Sequence, residues 1–158
     1  MRKTFSLELH KQMELDKDII LIVLDLGYGM WDKIREDYPT RCFNVGAAEQ
    51  AGMDIAVGMA LSGKKPFVYS ITNFLLYRPF ETLRTYIHHE KIPVRLVASG
   101  RNTDYGHDGI SHWSTDARDI LNTLPNITQY WPDDKKEIPL LVEKMVESKT
   151  PTFISLKR

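Results

Sequence analysis

The chain has 158 residues, enough for one domain with a sizeable core and too few for two. Its 21 basic and 21 acidic residues cancel, which argues against a nucleic-acid or membrane-surface partner, and no apolar run is long enough to span a bilayer. The single cysteine, Cys42, excludes an internal disulfide, and Met1-Arg-Lys-Thr-Phe-Ser6 lacks the apolar core of a secretory leader, so a cytoplasmic location is expected.

In chain order, residues 4–16 place Phe5, Leu9, Met13 and either Leu7 or Leu15 near one stripe, which predicts an amphipathic helix. Ile19 to Leu24 is an unbroken aliphatic run, the pattern of a strand buried on both faces of a parallel sheet. It stops at Asp25-Leu-Gly-Tyr-Gly29, where the third glycine of a dinucleotide fingerprint is missing, so no nicotinamide site is expected. A short helix over 31–37 and a strand over 41–45 lead to a helix over 49–61, in which Met53, Ala56, Val57 and Ala60 recur at helical intervals. Gly52 and Gly58 each weaken that helix by ~1 kcal/mol relative to Ala, a cost explained if a neighbour packs against their bare backbone.

The second half repeats the alternation. A strand over 66–71 precedes a long helix over 74–89, with Leu75, Leu76, Phe80, Leu83 and Ile87 on its apolar side. A strand over 93–98 runs into a polar loop over 99–112, then come a helix over 115–124, a strand over 127–131, a helix over 133–147 and a strand over 152–156. With no repeat, low-complexity tract or linker, residues 1–158 read as a single α/β domain. The expected architecture is a doubly wound, mainly parallel six-stranded sheet with helices on both faces.

Candidate chemistry gathers at the predicted carboxyl ends of strands, where α/β sheets bind ligands. Arg41-Cys-Phe-Asn-Val-Gly-Ala-Ala-Glu-Gln50 sets Glu49 at a strand-to-helix junction among small apolar neighbours, a partly desolvated carboxylate suited to proton transfer. A plain first-turn acid facing the helix dipole is the other reading. Phe74 and Tyr77, three apart on a helix, either present rings to a flat heterocycle or fill the core. His107, Asp108 and His112 lie in a glycine-containing loop without zincin spacing or a third ligand elsewhere, so hydrogen bonding to a hydroxylated or carbonyl substrate is favoured over a metal. There is no G-x-S-x-G elbow and no Walker loop, and Cys42 sits inside a strand pattern.

Taken together, Arg41-x-Phe-Asn-x-Gly-x-Ala-Glu-Gln50, Gly58-Met-Ala-x-x-Gly63, Pro66-Phe67, Asn73-Phe74-x-x-Tyr77 and Asp108-Gly-x-Ser-His112 closely resemble the pyrimidine-binding domain of transketolase and deoxyxylulose-phosphate synthase, both thiamine-diphosphate enzymes. The resemblance implies that Glu49 hydrogen-bonds the aminopyrimidine ring nitrogen of thiamine diphosphate and so promotes deprotonation of the coenzyme's thiazolium carbon. It also implies that Phe74 stacks on the pyrimidine, that Tyr77 forms a further wall and that Asp25 lies near the cofactor. Ile71 stands where many transketolases have another aromatic. Asp108 and His112 match the residues that contact sugar hydroxyls and the carbonyl oxygen, and Arg2 matches a phosphate-binding arginine. A histidine expected near the start of the long loop is replaced by Gly100 and Arg101, which bears on donor specificity.

The Gly-Asp-Gly…Asn motif that holds Mg2+ and the diphosphate in this family is absent from the sequence. The resemblance therefore implies the small subunit of a two-component, transketolase-like enzyme transferring a two-carbon ketol unit between sugar-like substrates. Its expected partner is a separately encoded diphosphate-binding subunit carrying the Mg2+, in a heterotetramer. An excised domain, the β subunit of a 2-oxo-acid dehydrogenase or a carboligase, and a non-catalytic module that supports a partner are the alternatives. Asp108 to His112 favours the sugar reading over the oxo-acid one.

Overall fold

A computed structural model describes the whole chain, Met1–Arg158. The central aliphatic run forms β1 (Ile19–Val23), buried at every position. Ile19, Leu21 and Val23 face one apolar core, whereas Ile20 and Ile22, with Leu24 just beyond the strand, face another. That two-sided burial is what its lack of polar alternation demands.

Beside it lie β2 (Cys42–Asn44), β3 (Lys65–Ile71), β4 (Arg95–Ser99), β5 (Thr128–Tyr130) and β6 (Thr152–Leu156). They form one six-stranded sheet in the order β2-β1-β3-β4-β6-β5, and every pairing is parallel. The edge strands β2 and β5 are three residues each, too short to offer much unpaired backbone to another chain.

One face is covered by α1 (Arg2–Leu15), α2 (Asp32–Asp37) and α7 (Ile138–Glu147) through Phe5, Leu9, Met13, Ile34, Val142 and Met145. The other is covered by α3 (Glu49–Leu61), α4 (Thr72–Tyr77), a π-helical segment Leu83–His89 and α6 (Ala117–Asn122), through Met53, Val57, Leu75, Leu76, Leu83, Ile87 and Leu121. Each such fully buried Leu, Ile or Phe stabilises the fold by ~1.5–3 kcal/mol. Between α7 and the sheet, the buried Arg95 donates from its guanidinium to the carbonyls of Met145 (3.0 Å) and Ser148 (2.8 Å), satisfying groups left open at the α7 C-terminus. Burial lowers its pKa to about 10, so it remains charged at neutral pH.

Three local expectations change. The helix predicted over 74–89 is broken: α4 ends at Tyr77, the single turn α5 (Phe80–Thr82) follows Pro79, and the chain then widens into the π-helical segment. Pro79 lacks an N–H and its ring crowds the carbonyl four residues back, which ends a regular α-helix. On α1, neither Leu7 nor Leu15 completes the stripe, because both are exposed. Gly52 behaves as expected, since a β-carbon there would collide with Leu24, but Gly58 faces open space and has no such neighbour.

Candidate functional site

The helix α3 carries the chain from β2, on one side of β1, to β3 on the other, so the strand order reverses between β1 and β3. Open α/β sheets bind ligands at the carboxyl ends of strands flanking such a reversal. At that place lies a cavity of about 220 Å³, whose walls include Leu24 and Asp25 after β1, Ser70 and Ile71 at the end of β3, Glu49 and Phe74.

Local sequence chemistry builds the corner that holds Glu49. The side-chain oxygen of Asn44 accepts the backbone N–H of Asp25 (3.2 Å) and of Gly46 (3.0 Å), tying the ends of β1 and β2 together. Gly46 then turns the chain at φ 76°, a conformation that side chains disfavour. The turn delivers Glu49 as the first residue of α3, only 3 % exposed. Its charge is met by Arg78, whose Nη1 donates to both carboxylate oxygens at 2.8 Å. The Arg78 guanidinium carbon also sits 3.8 Å from the centre of the Phe74 ring, one helical turn earlier.

The long loop meets this corner through His112. Its imidazole lies edge-on to Phe74, with ring centres 4.9 Å apart at 69°, and its Nδ1 is 2.9 Å from the Ser111 hydroxyl. The loop is pinned on both sides: the Thr72 hydroxyl donates to the Gly100 carbonyl, the Asn73 amide donates to the Ser111 carbonyl (3.2 Å), and Asn102 bridges Ser114. Gly100 has φ 84°, and the ring of Tyr105 occupies the position a β-carbon would take. The structure thus leaves no room for a side chain where a histidine was expected. Arg101 is directed elsewhere, donating to the carbonyls of Ser155 (2.7 Å) and Pro132 (2.8 Å) and pairing with Asp133 at 3.0 Å.

Other sequence-derived candidates lie farther out. Asp108 is in an exposed 3-10 turn, Gly106–Asp108, with the His107 Nε2 3.1 Å from its carboxylate. No group of three or more His, Cys, Asp or Glu side chains is arranged to hold a metal ion. Tyr77 does not line the Glu49 cavity; it lies beside Asp116, and burial together with that carboxylate raises its pKa. Burial likewise raises the pKa of the Cys42 thiol, which keeps it protonated and a poor nucleophile.

Arg2 is directed toward Ser99 and Tyr105, its Nη1 3.4 Å from each hydroxyl. It lines a separate cavity of about 560 Å³ with Lys3, His10, Tyr28, Lys33 and Arg158. Tyr28 donates its hydroxyl to the Asp25 carboxylate at 2.7 Å, joining the wall of that cavity to the wall of the Glu49 cavity.

Two site residues carried no role in the sequence reading. Ser70 is 1 % exposed and its hydroxyl has no hydrogen-bond partner, although it lines the Glu49 cavity. Nothing in its local sequence distinguishes it from any other strand serine. Arg78 could have been suspected, because it stands four residues after Phe74, a spacing that brings a cation over a ring on a helix.

The model of the transketolase pyrimidine-binding domain family matches residues 1–158. A putative transketolase C-terminal section from Methanocaldococcus jannaschii is 29% identical over 100% of this chain and 50% of its own length. One subunit of the apulose-4-phosphate transketolase of Phocaeicola vulgatus is 27% identical over 99% of the chain and 51% of its own length. A solved structure described as a split gene transketolase in an inactive beta4 tetramer superposes with a TM-score of 0.87 at 27% identity, covering 99% of this chain and 51% of that one. The chain therefore spans about half the length of these relatives. With its reversal-point cavity, its buried junction glutamate and a family match from first residue to last, this chain belongs to the transketolase pyrimidine-binding domain family.

Proposed function

We propose that this chain is the pyrimidine-binding part of a two-component, thiamine-diphosphate-dependent transketolase-like enzyme, completed by a separately encoded diphosphate-binding subunit that carries Mg2+. The observation that carries the reading is the cavity containing Glu49 and Phe74. A buried carboxylate, an aromatic ring and the unpartnered Ser70 hydroxyl line one small space, which suits a single polar heteroaromatic ring. At about 220 Å³ it is too small for the complete coenzyme, since pockets that enclose a whole drug-sized ligand run to ~300–1,000 Å³. Half a site on this chain and half on a partner accounts for that size, and the presence of a transketolase subunit and a split gene transketolase among the similar proteins supports it.

When bound, thiamine diphosphate would supply the carbon nucleophile that cleaves and remakes the bond next to a ketone carbonyl, moving a two-carbon ketol unit between sugar-like substrates. Glu49 would hold a hydrogen bond and a proton at the pyrimidine nitrogen, where its burial keeps competing water away. Phe74 would provide the stacking face, with Leu24 and Ile71 as apolar walls and Ser70 as a hydrogen-bonding hydroxyl. His112, held against Phe74, would face the substrate carbonyl and hydroxyls, Asp108 would bind hydroxyls beside it, and Arg2 would meet an anionic end of the substrate. Asp25 would close the site on the β1 side, fixed by Tyr28. Two copies of each subunit in a heterotetramer complete the assembly.

Purified alone, the chain is expected to show no ketol transfer; full activity of the isolated chain overturns the split-site reading. In the assembled complex Glu49→Gln should slow exchange of the coenzyme C2 proton by ~100-fold or more while assembly is retained, as loss of a general acid–base group does. Exchange at the wild-type rate would remove Glu49 from that role.

A further inference from the structure

The Phe74 face and the Glu49 carboxylate are the two surfaces a pyrimidine ring needs, and one side chain of this same chain covers both. Arg78 donates to both carboxylate oxygens at 2.8 Å, and its guanidinium carbon lies over the Phe74 ring, 3.8 Å from the ring centre. A guanidinium is flat, cationic and rich in N–H donors, so it satisfies an acid and an aromatic face at once, as a protonated aminopyrimidine would. Arg78 also borders the Glu49 cavity and, on the outer side, an open groove with Ala47, Gln50 and Asp54. It is 46% exposed while its partner carboxylate is 3% exposed, so the arginine is the half of the pair that is free to leave.

We infer that Arg78 is a latch on the cofactor site: from the border of the Glu49 cavity it holds the carboxylate and the aromatic ring that a pyrimidine needs, and it must swing out for the pyrimidine to engage them. This rests on the pyrimidine-binding reading above and adds a competitor built into the chain. Ring and guanidinium need the same carboxylate oxygens and the same aromatic face, so the two states exclude one another. The apparent affinity for the cofactor is therefore reduced by the fraction of molecules in which the latch is closed. The latch keeps a buried carboxylate paired whenever no ring is present, which avoids an uncompensated buried charge. The outer groove gives the displaced side chain somewhere to go, with the Asp54 carboxylate on its lining.

Two measurements test this. In the chain alone, Glu49 is modified with a water-soluble carbodiimide and an amine, and the labelled peptide is quantified by mass spectrometry. Arg78→Ala is expected to accelerate labelling by ~10-fold, the change an exposed ion pair and a cation–π contact together can hold back. Equal rates in both proteins mean that Arg78 does not guard the carboxylate, and overturn the latch.

In the complex co-purified with the diphosphate-binding subunit, thiamine diphosphate is titrated by calorimetry into wild type, Arg78→Ala and Arg78→Lys. The latch requires Arg78→Ala to bind ~5–10-fold more tightly, Arg78→Lys to fall between, and the wild-type deficit to shrink as salt screens the ion pair. Unchanged or weaker binding by Arg78→Ala sinks the latch and leaves the cofactor reading standing. Absence of binding by all three assembled complexes sinks the cofactor reading itself, and the latch with it.

Discussion

At the scale of single residues, two glycines of one helix make opposite predictions. In α3, Gly52 lies against Leu24 with no room for a methyl group, whereas Gly58 faces open space. Gly52→Ala is therefore expected to destabilise the chain by ~1–3 kcal/mol through overpacking, despite alanine's better helix propensity. Gly58→Ala should instead stabilise it by ~0.5–1 kcal/mol. Urea-unfolding midpoints of the two variants check both signs. His112 makes a third residue-level case. It packs edge-on against Phe74 but does not line the Glu49 cavity, so His112→Ala should reduce kcat/KM for the carbonyl substrate by ~10²-fold or more and alter thiamine-diphosphate affinity far less. Equal losses in titration and in kinetics would contradict its proposed substrate-facing role.

Among the elements, the loop following β4 is the one that brings His112 against Phe74. It is held by Arg101, a buried cation whose donors are spent on Ser155, Pro132 and Asp133, and by the antiparallel bridge between Asn102 and Ser114. Burial lowers the Arg101 pKa, and the Asp133 carboxylate opposes that shift. Arg101→Met would remove the donors that meet two carbonyls and a serine hydroxyl, an expected loss of ~2–4 kcal/mol. The same variant should raise amide exchange across residues 100–112 ahead of the β-sheet, because it releases the loop and not the core. Hydrogen-exchange mass spectrometry reads that order directly.

For the whole molecule, acid sensitivity follows from carboxylates paired across elements. Asp37 is held below its ordinary value of 3.8 by hydrogen bonds from Lys33 on α2 and His10 on α1. For Asp16, burial pushes the pKa up, but hydrogen bonds from the Lys65 side chain and the Asp18 backbone outweigh it and the net shift is downward. A carboxyl group more acidic folded than unfolded stabilises the fold above its unfolded pKa and loses that contribution as pH falls through the folded one. The urea midpoint should therefore stay nearly flat from neutral pH to ~pH 5 and fall below ~pH 4. Asp16→Asn together with Asp37→Asn should flatten that fall; an unchanged acid limb would show that other carboxylates govern it.

What the sequence determined by itself is the alternation of strand and helix, because periodicity and unbroken aliphatic runs are local properties. It also offered Glu49, Phe74 and His112 as candidates, since the strand-to-helix junction at Gly46 and the ordered motifs lie along the chain. What only the tertiary structure decided is who meets whom. The strand order β2-β1-β3-β4-β6-β5 puts the reversal, and so the cavity, between β1 and β3. Ser70, with no distinguishing neighbours in sequence, lines the cavity because it falls at the carboxyl end of β3, and Arg2 meets Tyr105 across 103 positions. The Pro79 break turns the chain after α4 and leaves Arg78 at the end of that helix, over Phe74 and against Glu49. Propensity acts over a few residues, whereas burial and charge pairing act through space, and the site is assembled by the second kind of force.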